Sequence, residues 1–402
     1  MKGIKISFDI NKEAQYSVAY KNGRKTFEIQ YYDGVLVCSF QYSYDRKPLS
    51  MAADAKVGDK VELCIYEPRI EMYINGKLVD EEWPLENRLF ELGDEVFAEG
   101  VTSVEECFCE KKEMPDVVGT FTNAEGWKPE ENVFVGDCMP HVDGGRYHIL
   151  YLRDRHHHCS KWGLGAHEWE HISTADFENW QIHPKVLPIE KSAEGSFCTG
   201  SWIKEGEKQY IYYTIRLPHG AKRPVKRSVS YDGYHYEKDE NFELFISDKY
   251  KVSVARDPKL IKDKNGLYHM FLTTVLVEEN KGCLAHYVSS DLDNWGECET
   301  PIYVAEDGTH PECPDFIEYG GRSYLVYSLN GKAYYKISDD GMANWREPKN
   351  PIIPCESVPK GAVINGKIIF AGFKRQGGYA GTLTLKSAVA DENGELVFGD
   401  VL

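Results

Sequence analysis

One short signature, returning at nearly even intervals, constrains this chain more than any other feature. A hydroxyl residue, a gap of one, an aspartate, a gap of three and a large aromatic stand at Thr174, Asp176 and Trp180. They return at Ser230, Asp232 and Tyr236, at Ser289, Asp291 and Trp295, and one residue longer from Ser338 to Trp345. The copies lie roughly 50 to 60 residues apart, the length of a four-stranded propeller blade or a comparable unit. Between them run alternating apolar cores: Tyr147–Tyr151, Tyr210–Tyr213, Tyr268–Phe271, Tyr324–Tyr327 and Ile368–Phe370. Period-two alternation belongs to strands, so five cores predict a five-bladed β-propeller over residues 133–402. Its last unit, irregular at Gly377, Gly378 and Gly381, is expected to borrow a strand from the other end of the chain.

A second recurrence selects the chemistry. About a dozen or fewer residues before Tyr147, Tyr268 and Tyr324 stand Asp137, Asp257 and Glu312, and the equivalent places in the other units lie near Thr199 and Ser357. Matching places on successive inner strands would surround one mouth of the axial channel and gather three carboxylates there. Repulsion among like charges and poor solvation then separate their proton affinities. One acid can stay ionised while another carries a proton, as nucleophilic and acid–base work on one substrate requires.

Residues 1–110 lack the repeat. Short alternating runs (Lys5–Ile10, Tyr16–Tyr20, Thr26–Tyr32, Val35–Tyr42, Val61–Tyr66, Ile70–Ile74) are punctuated by Asn22-Gly23, Asp33-Gly34 and Asn75-Gly76. These dipeptides suit the type I′ hairpin turn, whose two central residues need positive φ. An N-terminal antiparallel β-sandwich is expected, and the segment Ile70–Lys77 resembles a hairpin of concanavalin-like and laminin-G-like modules. Residues 111–132, rich in Lys, Glu and Pro, read as a connector pinned by Trp127.

The formal charge of −17 and the lack of a basic run argue against a nucleic-acid partner and favour a neutral ligand. No apolar run approaches a membrane span, and the first residues lack the core of a secretory signal, so a cytoplasmic protein is expected. The 11 scattered cysteines fit reduced thiols better than a disulfide framework. His167-Glu168-Trp169-Glu170-His171 matches the H-E-x-x-H zinc pattern, but that pattern works only on a helix. Here the alternation is that of a strand, and no metal or cofactor is expected. The polar run Arg153–His158 suits a loop in which His157 contacts a sugar hydroxyl or lies in solvent.

Arg256-Asp257-Pro258, Glu312-Cys313-Pro314-Asp315, the W-x-H-x-x-x-x-D-x-x-x-W run from Trp169 to Trp180 and Thr199-Gly200-Ser201 resemble the motifs of glycoside hydrolase family 32, the invertase, levanase and inulinase group. The resemblance implies a five-bladed propeller glycosidase that hydrolyses β-fructofuranosides with retention. It implies Asp137 as nucleophile, Asp257 as transition-state stabiliser and Glu312 as acid/base, with Arg256, Trp162, Thr199, Ser201 and His157 around a small oligosaccharide or glycoside. The chain departs from the family's N-D-P-N-G at Gly136-Asp137-Cys138-Met139-Pro140, has Leu152 in place of a substrate-binding Gln, and carries its sandwich first. Two alternatives stand beside this reading: an inverting family 43-like arabinofuranosidase or xylosidase, and a carbohydrate-binding protein without catalysis.

Overall fold

The computed structural model describes residues 2–11, 15–20, 26–41, 49–66, 68–83, 96–109, 113–191, 194–217 and 220–401. Two compact units emerge: residues 1–113 with 158–166 and 189–195, and residues 114–157, 167–188 and 196–402.

In the first unit two five-stranded antiparallel sheets share one apolar core. Ile4, Ile6 and Phe8 alternate inward along Lys2–Asp9 and meet Leu63, Ile65 and Met72 of one sheet and Ile29, Leu36 and Met51 of the other. The turns Asp33-Gly34 (φ 49° and 81°) and Asn75-Gly76 (φ 51° and 79°) adopt the left-handed geometry their sequence favours. Asn22-Gly23 lies outside the described residues. The loop 158–166 carries a one-turn helix, Ser160–Gly163, whose Ser160 hydroxyl and Lys161 amide donate to the buried Glu82 carboxylate at 2.5 and 3.1 Å.

The second unit is a five-bladed propeller. Its inner strands are Phe134–Asp143, Ser196–Glu205, Arg256–Lys262, Glu312–Tyr319 and Ser357–Ile364, each paired antiparallel with the strand that follows. The repeated signature is the turn after the third strand in blades one to four. Thr174 Oγ1 accepts the Phe177 amide at 2.8 Å while Asp176 Oδ1 accepts the Glu178 and Asn179 amides, and Ser230–Asp232 and Ser289–Asp291 repeat the arrangement. The closing Trp180 is buried and donates its indole N–H to the Phe177 carbonyl at 3.2 Å. A turn that satisfies its own amides this way is set locally, which is why the motif recurs.

Buried tyrosines fasten neighbouring blades. Tyr147 donates to the Ile369 carbonyl, Tyr212 to that of Leu292 and Tyr324 to that of Gly394, each at 2.9 Å. The last blade supplies its own outer strand, Leu396–Gly399, so among the described residues no strand is borrowed. The extra strand lies elsewhere: Gly119–Thr122, within the stretch read as a connector, pairs with Asn179–Ile182 at the edge of blade one. Phe121 stacks there on Trp127 at 4.1 Å. The apolar alternation of so short a segment is hidden among its charged neighbours.

Candidate active site

All five inner strands carry the same irregularity. Pairing with the second strand skips two residues between Val135 and Cys138, Phe197 and Gly200, Arg256 and Lys259, Glu312 and Asp315, and Ser357 and Lys360. Such bulges release the strand from its ladder and re-aim side chains. The three acids stand at or beside this released segment at staggered places: Glu312 paired just before the skip, Asp257 at its first residue and Asp137 at its second. Asp257 and Cys313, equivalent in this register, both take positive φ, 57° and 50°, a conformation that surrounding structure has to hold for residues other than glycine.

Cys313 links the acids. Its thiol donates to Asp137 Oδ2 at 3.4 Å, its amide donates to Asp257 Oδ2 at 3.0 Å, and it directly follows Glu312. Asp137 is held from both sides. Tyr379 donates its hydroxyl to Oδ1 at 2.9 Å and accepts the Asp137 amide at 3.3 Å, while the Thr199 hydroxyl donates to Oδ2. Burial and the Asp137 charge push the Tyr379 phenol well above its ordinary range, and burial with Asp137 and Asp257 does the same to the Cys313 thiol. Both donors therefore keep their protons and remain hydrogen-bond donors to the Asp137 carboxyl group.

Asp257 is almost wholly buried. Burial raises its carboxyl above the usual range, against the opposing pull of Arg256 and the Cys313 amide. Arg256 reaches Asp257 at 3.6 Å and Glu312 at 2.7 Å and also donates to His310 Nδ1 at 3.1 Å. Glu312 is the open member, its side chain 45% exposed against 4% for Asp257. It borders a depression of about 490 Å³ lined by Asp307, Thr309, His310 and Asn330. A separate cavity of about 280 Å³ fills the axis beyond the bulges, where Lys259 bonds Asp315 at 2.5 Å and Lys360 donates to the Gly200 carbonyl at 2.9 Å.

The structure thus brings together Asp137, Asp257, Glu312, Arg256 and Thr199. Ser201 lies past the bulge, buried, its hydroxyl accepting the Leu260 amide at 2.9 Å; it ties two inner strands together. His157 packs against the segment that carries Tyr379, its Nδ1 2.8 Å from the Tyr379 carbonyl and its ring on Phe134 at 4.4 Å. Its neighbours Arg153, Asp154 and Arg155 are buried rather than solvated. Trp162 belongs to the one-turn helix of the first unit, and its side chain is outside the described residues. His167 and His171 do not pair as in a zinc protease: His167 bonds Asp154 at 2.8 Å and His171 faces His148.

Tyr379 escaped the sequence reading. The signal was the departure at Gly136, where a Cβ would lie 2.7 Å from the Tyr379 hydroxyl. Leu152, buried on the second strand, backs the same glycine.

Comparison with known proteins places this geometry. The model of the glycosyl hydrolases family 32 N-terminal domain matches residues 126–350. Sucrose-6-phosphate hydrolase of Zymomonas mobilis subsp. mobilis is 25% identical over 207 residues, 46% of this chain and 38% of that protein. The cell wall isozyme of β-fructofuranosidase from Pisum sativum is 26% identical over 210 residues, 49% of this chain and 36% of its own. The match therefore spans well under half the length of these curated relatives. Among solved structures, fructan 1-exohydrolase IIa from Cichorium intybus in complex with 1-kestose superposes with a TM-score of 0.58 at 19% identity, over 70% of this chain and 61% of that one.

Proposed function

The chain belongs to glycosyl hydrolase family 32, and on that premise we propose that it hydrolyses a small β-fructofuranoside with retention. Asp137 attacks the anomeric carbon as the proton of Glu312 passes to the glycosidic oxygen and the bond between them breaks. The resulting fructosyl ester is then opened by a water that Glu312 deprotonates, which frees Asp137 and restores the proton to Glu312. Asp257 and Arg256 hold sugar hydroxyls and the charge that develops in the transition state. The observation that carries this reading is Cys313, hydrogen-bonded to both aspartates and adjacent in sequence to Glu312. Neither alternative, an inverting arabinofuranosidase or a non-catalytic binder, has an observation of its own in its favour.

A phosphorylated substrate such as sucrose 6-phosphate suits the site better than sucrose. The net charge of −17 favoured a neutral ligand, but cations gather locally. Arg216 is depressed by burial and by the nearby Arg223 and Arg256; His310 is depressed by burial, Arg256, Lys251 and Arg223. Arg223 also keeps a buried Nε with no hydrogen-bond partner among the described residues. The relative from Zymomonas mobilis is named for sucrose 6-phosphate. Such a substrate belongs inside the cell, in keeping with 11 cysteines that all stand as free thiols.

Folded Glu312→Gln is expected to lose about 10²- to 10⁴-fold in kcat, with larger losses for Asp137→Asn. NMR of the first-formed anomer should show the β-anomer. Wild-type turnover in either variant, or inversion at the anomeric carbon, would refute the mechanism. The phosphate preference is checked by the ratio of kcat/KM on sucrose 6-phosphate and sucrose, expected to fall about tenfold in Arg223→Gln.

A further inference from the structure

Blade one holds a group of imidazoles that the reaction does not use. His148, on the strand Arg146–Asp154, and His171, on Glu168–Thr174, are diagonal neighbours on one face of the sheet, with His148 opposite Ser173 and Leu150 opposite His171. His183 follows the strand Asn179–Ile182, its amide bonded to the His171 carbonyl at 2.9 Å. All three are buried, and one donor nitrogen from each lies within 4.8 Å of the other two.

A hydrogen bond fixes which nitrogen of His183 is bare. His183 Nδ1 stands 2.6 Å from the Asp116 carbonyl, which can only accept, so Nδ1 carries the proton and Nε2 is free of one. His148 Nδ1 lies 2.9 Å from His171 Nε2, so the two rings already turn these nitrogens toward each other. A ring held through its other N–H by a backbone carbonyl is the usual support of a metal-ligating histidine. His171 Nδ1 is buried with no hydrogen-bond partner among the described residues.

We propose that His148, His171 and His183 bind one Zn²⁺, a structural ion that clamps three consecutive strands of the first blade. A water completes four-coordination, because the Ser173 hydroxyl, 2.7 Å from His183 Nε2, already accepts from Arg146 at 3.0 and 3.2 Å. Zinc–nitrogen bonds of about 2.0–2.1 Å set tetrahedral ligand atoms about 3.3 Å apart, so the His148–His171 pair at 2.9 Å opens slightly while His183 moves in. Blade three repeats the pair: His269 Nδ1 lies 2.9 Å from His286 Nε2 with the same diagonal register. There the position matching His183 is Cys298, its amide likewise bonded to the second histidine's carbonyl at 2.9 Å. The imidazole pair is thus common to two blades, and the third imidazole is what distinguishes blade one.

The test uses the full chain, stripped with chelator, desalted and titrated with Co²⁺ as a spectroscopic stand-in. One equivalent is expected to bind with the visible absorption of a tetrahedral site and to be displaced by Zn²⁺. Folded His171→Gln and His183→Gln should each weaken that uptake by at least about tenfold, while Cys298→Ser keeps it. Absence of stoichiometric uptake by the wild-type chain, which needs no variant, overturns the proposal. Uptake undiminished in both histidine variants, or abolished by Cys298→Ser, overturns it as well.

Discussion

Tyr379 binds both the amide and the carboxylate of Asp137, so one hydroxyl orients the Oδ1 side of that acid while Thr199 and Cys313 hold Oδ2. A hydrogen bond to a charged group contributes about 1.5–3 kcal/mol, and each 1.36 kcal/mol is tenfold in rate. Tyr379→Phe is therefore expected to lower kcat/KM about 10- to 100-fold, mostly through kcat, with the fold intact by circular dichroism. Gly136→Ala should lower it too, because the added methyl meets the same hydroxyl. Asp257, Glu312, Arg256 and Thr199 were legible because each sits in a short motif. Tyr379 was not, since it reaches Asp137 from 242 residues away and its loop shows only two glycines beside it. Ser201 misled for a local reason: the bulge turns Thr199 toward the acids, and the ladder that resumes at Gly200 turns Ser201 toward the next inner strand.

At the level of strands, the site is made by where the bulge falls. Counting back from Tyr147, Tyr268 and Tyr324, the acids stand 10, 11 and 12 residues away, so their stagger was written in the spacing and reads as irregularity without the register. The five strand cores and the turn signature were legible because each is a local pattern, two-residue alternation and amides satisfied within the turn. The edge strand at Gly119–Thr122 was not, because pairing with Asn179–Ile182 is decided by tertiary contact. Gly200 measures how tightly an inner strand is placed. A Cβ there would fall 1.8 Å from the Tyr212 carbonyl oxygen and 2.8 Å from the Trp169 ring, so backbone has to give way. Gly200→Ala is expected to cost about 1–3 kcal/mol in denaturant unfolding and, by shifting Thr199 off Asp137, to depress activity in the protein that remains folded.

Across the whole ring, stability follows titratable groups that many blades share, and two pH windows separate. Burial, and then the neighbouring His269, lower His286 from its ordinary range to about 4. The unfolded chain therefore takes up a proton below about 6.5 that the folded chain refuses. Stability contributed by the neutral imidazole is complete above about pH 6.5 and lost as pH falls toward 4, on the order of 3 kcal/mol at most. The turn aspartates act lower. Asn179 holds Asp176 at about 2 through its side chain and amide, and Asp232, against some desolvation, is held at about 2 by the His235 and Tyr234 amides. Because these folded values lie below the unfolded ones, their contribution is present above about pH 4 and vanishes as pH falls toward 2. Blades one and five are joined by the pairing of Val135 with Gly381, so loss in one blade is felt around the ring. Six of the eight tryptophans lie in the propeller, which makes their fluorescence a report on that unit. Urea midpoints followed by tryptophan emission should fall first between about pH 6.5 and 4, and His286→Gln should flatten part of that limb, which it shares with His148, without changing the lower one. Asp232→Asn should flatten part of the decline between about pH 4 and 2 while lowering the neutral-pH midpoint slightly; a single undivided decline in the wild type would contradict both assignments.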